Sequence, residues 1–526
     1  MFPAQWSWRI NFSKHNAKTY PGPSRMIKKN NFFTSLVSAF SISVITQGVG
    51  LLRQIFIAAY FGISKKLDIY FMAFAMVTAM VFTFAVAFDS VSIPHLVKTL
   101  EKDGRDVFKK LTGSIFTFSL LFSVALNVVF IVAIPVVIKL MAAGFSSENK
   151  VELASMALYF IPWTMIFMPY YALCSFYKSV RRFNIVFFGE FIISAVSLVF
   201  IIAFHPGTTS IPLAYFAGYL SAFTVLFAFS FKEFNRIGRV LSGQMKGLYR
   251  NFIELFGANQ IGSVSTIVDR FFQSFLSAGS ISVLSYSAQI TANLSGLLSF
   301  RDIFSVPFSS LRERSEKLER VILGLTVITI PVMLFLSFYS REVIGILFMR
   351  GKFDLKATDL MASVFSLYVL CLVPGVIGTP GFRMFQIIDK IKNTGIIYLF
   401  SILTTIAAAV LFVFYLKLGI YGMVLTTIIS SYLPHILSFF LLRMNGIRPD
   451  FVKVARYAAY SFFISSMMIV IVRFWNISVI NTTVTFFIKT LSYFLLVAIA
   501  YLPIRQRLFG IITGSGSGVV ETKDIA

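Results

Sequence analysis

Two arginines lie inside apolar stretches of this sequence, and each has a carboxylate nearby. Asp68 follows Arg53 across a short turn, and Asp269 directly precedes Arg270. A guanidinium stays charged at any working pH, so an arginine inside a membrane normally faces a protein interior or a watery cavity and marks an anion site or a transport pathway. The alternative is structural: Arg53 pairs with Asp68 or a backbone carbonyl, and Asp269 with a neighbouring arginine.

Membrane-spanning helices must position these residues. Of 526 residues, 57% are hydrophobic and 13% are charged, whereas soluble domains carry about 25% charged residues. Apolar runs of about twenty residues recur, the length that a helix needs to cross a bilayer. We therefore predict an all-α polytopic membrane protein with about 14 transmembrane helices. The predicted spans lie near 33–60, 68–93, 112–138, 153–177, 184–204, 211–231, 250–276, 283–308, 319–339, 357–386, 395–415, 420–442, 452–473 and 482–504.

An internal repeat divides the chain into two six-helix lobes followed by two C-terminal helices. Gly62 lies nine residues after Arg53, and Gly279 lies nine residues after Arg270. Two halves of six helices point the same way, as in one class of secondary transporters, and would place the two arginines opposite each other at their interface. The predicted segments are a basic tail (1–32), an N-lobe (33–231), a linker (232–249), a C-lobe (250–443), two last helices (452–504) and a C-terminal tail (505–526).

The charge distribution predicts orientation rather than nucleic-acid binding. The net charge is +25, but the lysines and arginines concentrate in alternate short loops, as the positive-inside rule requires of cytoplasmic loops. Both termini and the 232–249 linker are then cytoplasmic. Residues 1–25 are expected to be a dispensable or untranslated extension. Cys174 and Cys371 are expected to be small buried hydrophobes, and no residue set predicts a metal site.

The remaining motifs favour transport over catalysis. The sequence has neither a phosphate-binding G-x-x-x-x-G-K-[ST] loop nor an H-E-x-x-H zinc motif, so we predict that the protein is not an enzyme and has no cofactor. Asp269 is the candidate for binding Na⁺ or H⁺ as a coupling ion. Asp89 and Glu190 are either cavity acids or interfacial residues.

Several segments, in this order, resemble the MviN/MurJ family of the multidrug/oligosaccharidyl-lipid/polysaccharide exporter superfamily. They are GLLRQIFIAAYFGISKKLDIYFMAF at 50–74, KSVRRFNIVFFGE at 178–190, SFLSAGSISVLSYSAQI at 274–290 and RGKFD at 350–354. The resemblance implies fourteen helices, two lobes around a central cavity, and flipping of undecaprenyl-diphosphate-linked precursors.

The resemblance also implies a set of substrate residues. The family cavity carries several arginines, of which Arg53 matches one. Other family arginines fall on Gln47, near Met80 or Val81, and on Gln289 or Ile290 in this chain. The candidate residues for the diphosphate and the cavity are Arg53, Arg270, Asp68, Gln47, Gln289, Asn259, Arg301 and Arg383.

The predicted function is a lipid II flippase of the bacterial cytoplasmic (inner) membrane, working by alternating access in cell-wall biogenesis. Its partners would be the lipid-linked glycan, membrane lipids and the cell-wall synthesis machinery. One alternative is a flippase for another polyprenyl-linked oligosaccharide. Another is a drug or cation antiporter of the same superfamily, which would need cavity acids rather than arginines.

Overall fold

The computed structural model describes residues 29–230, 237–240, 243–298, 311–388, 390–475 and 482–502, and the side chains of 29–41 and 254–261 are among those it leaves out. Every regular element in these ranges is a helix. The α-helices are α1 (Lys29–Phe61), α2 (Lys65–Val77), α3 (Thr83–Lys102), α4 (Arg105–Met141), α5 (Ser147–Leu158), α6 (Ile161–Ser179), α7 (Phe183–Ala203), α8 (Ser210–Phe229), α9 (Gly243–Gln273), α10 (Ser280–Leu298), α11 (Leu311–Phe338), α12 (Ser340–Phe348), α13 (Leu355–Tyr368), α14 (Leu372–Ile387), α15 (Ile391–Ala409), α16 (Gly419–Met444), α17 (Phe451–Phe474) and α18 (Thr482–Tyr501).

Shorter helical turns join some of these elements into longer rods. A π-helical turn at Thr78–Phe82 connects α2 to α3, so the chain runs helically from Lys65 to Lys102. A 3₁₀ turn at Val369–Cys371 joins α13 to α14 in the same way. Wide turns of the π type recur at functional sites in helical proteins, and the one at Thr78–Phe82 packs against α9.

The predicted multi-pass helical architecture is confirmed. In the described ranges, 11 helical segments are long and apolar enough to cross a membrane, or 12 if α5 and α6, which meet at a 41° bend, form one span. These segments match twelve of the predicted spans. The other two, 250–276 and 283–308, fall on α9 and α10, which include residues or side chains outside the described set. The count of fourteen stays a prediction.

The described chain forms two compact units. The first unit contains the residues up to 282 together with 350–353. Within it, α1 packs on α7, α7 on α8, and α8 on α6, while α6 also contacts α3 and α4. The predicted N-lobe ends at 231, but α9 also belongs to this first unit, where it packs against α3 and α4.

Contacts near its start and in its second half explain why α9 joins the first unit. Near its start, Asn251 lies 3.2 Å from the His95 ring, and further along Ser263 Oγ lies 2.9 Å from Thr83 Oγ1. Phe252 packs among aromatic rings of α3 and α4. The helix therefore runs antiparallel to α2 and α3, and burial of these rings holds it in place.

The second unit contains residues 283–349 and those from 354 onward. Here α11 packs on α14 and α17, α16 packs on α14 and α15, and α17 packs on α18. A buried apolar cluster stabilises this unit and comprises Leu318, Ile322, Met384, Phe385, Ile397, Leu442 and Ile447. The predicted tails at 1–25 and 505–526 lie outside the described residues.

Candidate functional site

Arg53 reaches from α1 into the groove between α7 and α8. Its Nη1 donates a 2.7 Å hydrogen bond to Ser197 Oγ on α7, and its guanidinium carbon lies 4.4 Å from the ring centre of Tyr215 on α8. No carboxylate forms an ion pair with Arg53 in the part of the chain that the structure describes, and there its Nε is buried without a hydrogen-bond partner. A hydroxyl and an aromatic face orient the guanidinium but leave its charge uncompensated.

A polar stripe on α1 extends from Arg53 towards the start of the helix. Thr46 Oγ1, Gln47 Oε1 and Gln54 Oε1 are buried, and none has a hydrogen-bond partner among the described residues. Positions seven apart return to nearly the same side of a helix after about two turns. Thr46 therefore lies on the same side of α1 as Arg53, whereas Gln47 and Gln54 lie on the adjoining side, about 100° around the helix. The acceptors thus flank a cationic donor.

Asp68 does not pair with Arg53, so the alternative of an ion pair between them is wrong. Its side chain is 1% exposed. One carboxylate oxygen accepts the Gly279 N–H at 2.6 Å, and the other accepts the N–H and the hydroxyl of Ser282 at 2.8 and 2.6 Å. Carboxylates favour helix N-termini because unpaired N–H groups and the helix dipole point there. Asp68 thus caps the start of α10, and its role in substrate binding stays a prediction.

The segment Arg350–Phe353 docks on the end of α1. The Lys352 N–H donates a 2.8 Å hydrogen bond to Ala59 O. Gly351 has φ +59° and Gly62 has φ +63°, and a Cβ on either would lie within 2.7 Å of a backbone oxygen across this contact. Only glycine takes up such a backbone readily and lets two chains approach so closely. Gly62 and Gly279, paired in the sequence repeat, both have positive φ, at +63° and +88°.

Asp269 and Arg270 lie near the end of α9 with Gln273. Arg270 Nη1 donates to Gln273 Oε1 at 2.7 Å, and Gln273 Nε2 lies 3.4 Å from Asp269 Oδ2. The glutamine therefore links the two charged side chains. Both are half-buried, and whether Asp269 binds an ion stays a prediction.

A second charged cluster lies between α3, α6 and α7. Lys178 Nζ forms a 2.6 Å ion pair with Asp89 Oδ2, and the Ser175 hydroxyl donates to Asp89 Oδ1 at 2.7 Å. Glu190 faces the same cluster from α7. Within the described residues, no group of three or more His, Cys, Asp or Glu side chains is arranged to hold a metal ion.

The other predicted site residues are dispersed. Gln289 on α10 and Arg383 on α14 belong to the second unit, and both are half-buried. The Asn259 side chain and Arg301 lie outside the described residues. Sequence reasoning missed Ser197 and Tyr215, since serine and tyrosine in apolar helices are too common to signal a partner for Arg53.

Comparison with known proteins assigns the fold and the family. A sequence model described as "Lipid II flippase MurJ" matches residues 57–494. The chain belongs to the MurJ lipid II flippase family. It is 28% identical over 422 residues to the probable lipid II flippase MurJ of Aquifex aeolicus, covering 74% of this chain and 80% of that protein. It is 24% identical over 525 residues to that of Buchnera aphidicola subsp. Baizongia pistaciae, covering 94% and 96%.

Solved structures agree on the fold. A lipid II flippase MurJ in an inward closed conformation matches with a TM-score of 0.73 at 21% identity, covering 89% of this chain and 99% of that one. An inward-facing multidrug-resistance MATE transporter of the MOP superfamily matches with a TM-score of 0.62 at 16% identity, covering 78% and 98%. MurJ membership and the many apolar helices make this chain a multi-pass bacterial membrane protein, and its family moves a lipid-linked substrate.

Proposed function

We propose that this protein moves lipid II from the inner to the outer leaflet of the bacterial cytoplasmic membrane. The observation that carries the proposal is the charge of Arg53, which lies inside a candidate span and has no carboxylate partner among the described residues. Holding an uncompensated cation within a membrane is costly. A ligand that brings negative charge to it would recover that cost.

The diphosphate of an undecaprenyl-linked precursor fits this requirement. Guanidinium binds phosphate oxygens through two parallel hydrogen bonds, and Arg53 has used only one N–H group on a described protein partner. The buried oxygens of Thr46, Gln47 and Gln54, on this side of α1 and the adjoining one, are acceptors for sugar hydroxyls or amides. Gly50 lies between them, and a Cβ at this position would meet no described atom within 4 Å. A ligand can therefore approach the α1 backbone closely.

The proposed cycle is alternating access. The head group enters from the cytoplasmic side, binds Arg53, and leaves on the outer side while the polyprenyl tail stays in lipid. The inside-negative potential favours outward movement of an anion by about 2.3 kcal/mol per charge per 100 mV. Asp269 is our candidate for a coupled Na⁺ or H⁺. The protein changes the position of its substrate and no covalent bond, so we class it as a transporter and not as an enzyme.

The cellular setting follows from the charge pattern. We propose that both termini are cytoplasmic, because lysine- and arginine-rich loops lie on the cytoplasmic side under the positive-inside rule. We propose that the flipped lipid II is delivered to the cell-wall synthesis machinery at the outer face of the cytoplasmic membrane.

Reconstitution tests the proposal directly. Liposomes containing the purified full-length chain would be loaded with lipid II that carries a fluorophore on its head group, and a membrane-impermeant quencher would report which leaflet holds it. We expect protein-dependent exposure of the head group, and loss of that exposure in Arg53→Ala. Transport of other polyprenyl-diphosphate glycans in preference to lipid II, or of cationic drugs, would replace the proposal with one of the two alternatives.

A further inference from the structure

Glu190 is a carboxylate inside a candidate span. It lies on α7, on the helix face that also carries the buried Val186, Ile193 and Ser197. Asp89 is already paired with Lys178 at 2.6 Å. Glu190 makes no hydrogen bond or ion pair with any other described residue, and the local charge of the two carboxylates exceeds that of the one lysine.

A second observation is a buried hydroxyl beside Gly189, the neighbour of Glu190 in the chain. The Tyr170 side chain is 2% exposed, and its hydroxyl has no hydrogen-bond partner in the described ranges. That oxygen lies 3.1 Å from the position that a Cβ on Gly189 would take, beside Glu190. A buried hydroxyl normally finds a partner, and the protein group beside it is the weakly bonding thiol of Cys174.

Tyr219 connects this cluster to the Arg53 site. It packs edge-on against Tyr170, with ring centres 5.3 Å apart, and it lies within electrostatic range of both Glu190 and Arg53. Ser197, which holds Arg53, is seven residues beyond Glu190 on the same helix, a rise of about 10 Å. The guanidinium that we assign to the diphosphate is therefore held about two helical turns along α7 from Glu190.

We propose that Glu190 binds a proton and that this proton tunes the affinity of Arg53 for the substrate diphosphate. The inference rests on the proposed function. With Glu190 ionised, its negative charge offsets Arg53 and opposes an anionic ligand. With Glu190 protonated, that opposition is removed, and the diphosphate binds more tightly.

The charged and titratable groups around Glu190 favour a proton over a metal cation. They are Asp89 on α3, Tyr170, Tyr171, Cys174 and Lys178 on α6, and Tyr219 on α8. One of them, Lys178, is a fixed cation, which repels Na⁺. Burial disfavours the charged form of any carboxyl group, so a proton taken up from cytoplasmic water is the ligand that this site accepts at least cost.

The coupling between proton binding and diphosphate binding must be reciprocal, and this determines what to measure. If a proton on Glu190 tightens diphosphate binding, then diphosphate binding must raise proton uptake by the same coupling. Two unit charges about 10 Å apart in a medium of effective dielectric about 20 interact strongly enough to change the affinity for an anionic ligand roughly tenfold. We expect the Kd for lipid II to rise about tenfold from acid to alkaline pH.

The experiment is calorimetric titration of lipid II into the purified full-length protein in detergent, in buffers of different ionisation enthalpy. Wild type should take up protons on binding, and Glu190→Gln should bind tightly at every pH without proton uptake. Glu148→Gln, which alters an exposed glutamate at the start of α5, should behave as wild type. Unchanged proton uptake in Glu190→Gln, or a dependence on Na⁺ instead of pH, overturns the inference.

A second variant tests the role of Glu190 if Glu190→Gln does not fold. Asp89→Asn frees Lys178 to pair with Glu190, which favours ionised Glu190 and should move the midpoint of the Kd profile to lower pH. A midpoint that stays in place or moves to higher pH overturns the inference. Failure of wild type to bind lipid II at any pH would instead refute the proposed function.

Discussion

Arg53 on α1 and Ser197 on α7 are joined by a 2.7 Å hydrogen bond, and Tyr215 on α8 lies under the same guanidinium. Ser197 also donates to the carbonyl of Ile193 at 2.6 Å, so its hydroxyl rotor is fixed and its lone pair is presented to the arginine. Three helices of the first unit thereby set the direction of one charge. The predictions that follow test what this charge and its neighbouring contacts do.

Removal of the Arg53 charge should abolish transport without removing the protein. Arg53→Ala is expected to lower the flipping rate at least about a hundredfold, the equivalent of about 3 kcal/mol for a charge-assisted bidentate contact. Arg53→Lys should recover only part of it, since an ammonium binds phosphate as a point charge. Flipping assays in liposomes that contain equal amounts of each variant measure these rates. The control is Arg443→Ala, at an exposed arginine at the end of α16; wild-type flipping by Arg53→Ala would remove Arg53 from the mechanism.

The ring under Arg53 should matter more than its hydroxyl. Tyr215→Phe keeps the aromatic face and should leave lipid II affinity within about twofold of wild type, whereas Tyr215→Leu should weaken it about fivefold to tenfold, because a cation–π contact contributes about 1–2 kcal/mol when desolvated. Titration of lipid II into the purified variants gives the two affinities. Equal losses in both variants would show that the hydroxyl, and not the ring, orients the arginine.

Loss of the Asp68 cap should loosen the start of α10 while leaving Arg53 intact. In Asp68→Asn an amide N–H₂ replaces one acceptor oxygen and opposes an N–H or O–H donor, which should cost about 1–3 kcal/mol of local stability. Hydrogen exchange at Gly279 and Ser282 should accelerate accordingly. Asp103→Asn, at an exposed residue after α3, is the matched control. Unchanged exchange at both amides would contradict the assigned hydrogen bonds.

Close packing at Gly351 should make it intolerant of a side chain. Gly351 and Gly419 have nearly the same φ, +59° and +56°, but a Cβ at Gly351 would lie 2.3 Å from Ala59 O, whereas one at Gly419 has open space. Alanine at either position incurs about 1–2 kcal/mol of backbone strain. Gly351→Ala must also displace the docked segment, so its Tm should fall further than that of Gly419→Ala. Equal Tm values would show that the 350–353 contact adds no stability.

The helical class and the apolar spans could be predicted from the sequence because each is a local property. Runs of about twenty apolar residues can satisfy their backbone in lipid only as helices. The described chain has eleven such segments, or twelve if the bent pair α5 and α6 forms one span. The position of Arg53 within a membrane-spanning helix could also be predicted, since an arginine inside an apolar run is visible in the sequence itself. Gly62 and Gly279, which the repeat pairs by spacing, both have positive φ, and the division into two matched lobes stays a prediction.

The partners of those residues could not be predicted in the same way. Spacing suggested Asp68 as a partner for Arg53, but its carboxylate is bound by Gly279 and Ser282, more than two hundred positions along the chain. The grouping of α9 and of 350–353 with the first unit likewise depends on contacts between distant segments.

By itself, the sequence determined that the chain crosses a membrane repeatedly as helices and that a permanent positive charge lies within one of them. Both follow from the transfer free energy of side chains and backbone into lipid, which depends on local composition alone. Only the tertiary structure decided that Ser197 and Tyr215 hold this charge, that Asp68 caps α10, and that Glu190 faces its cluster without a partner among the described residues. Hydrogen bonds and ion pairs act over a few ångströms, and which side chains come that close is set by helix packing rather than by position in the chain.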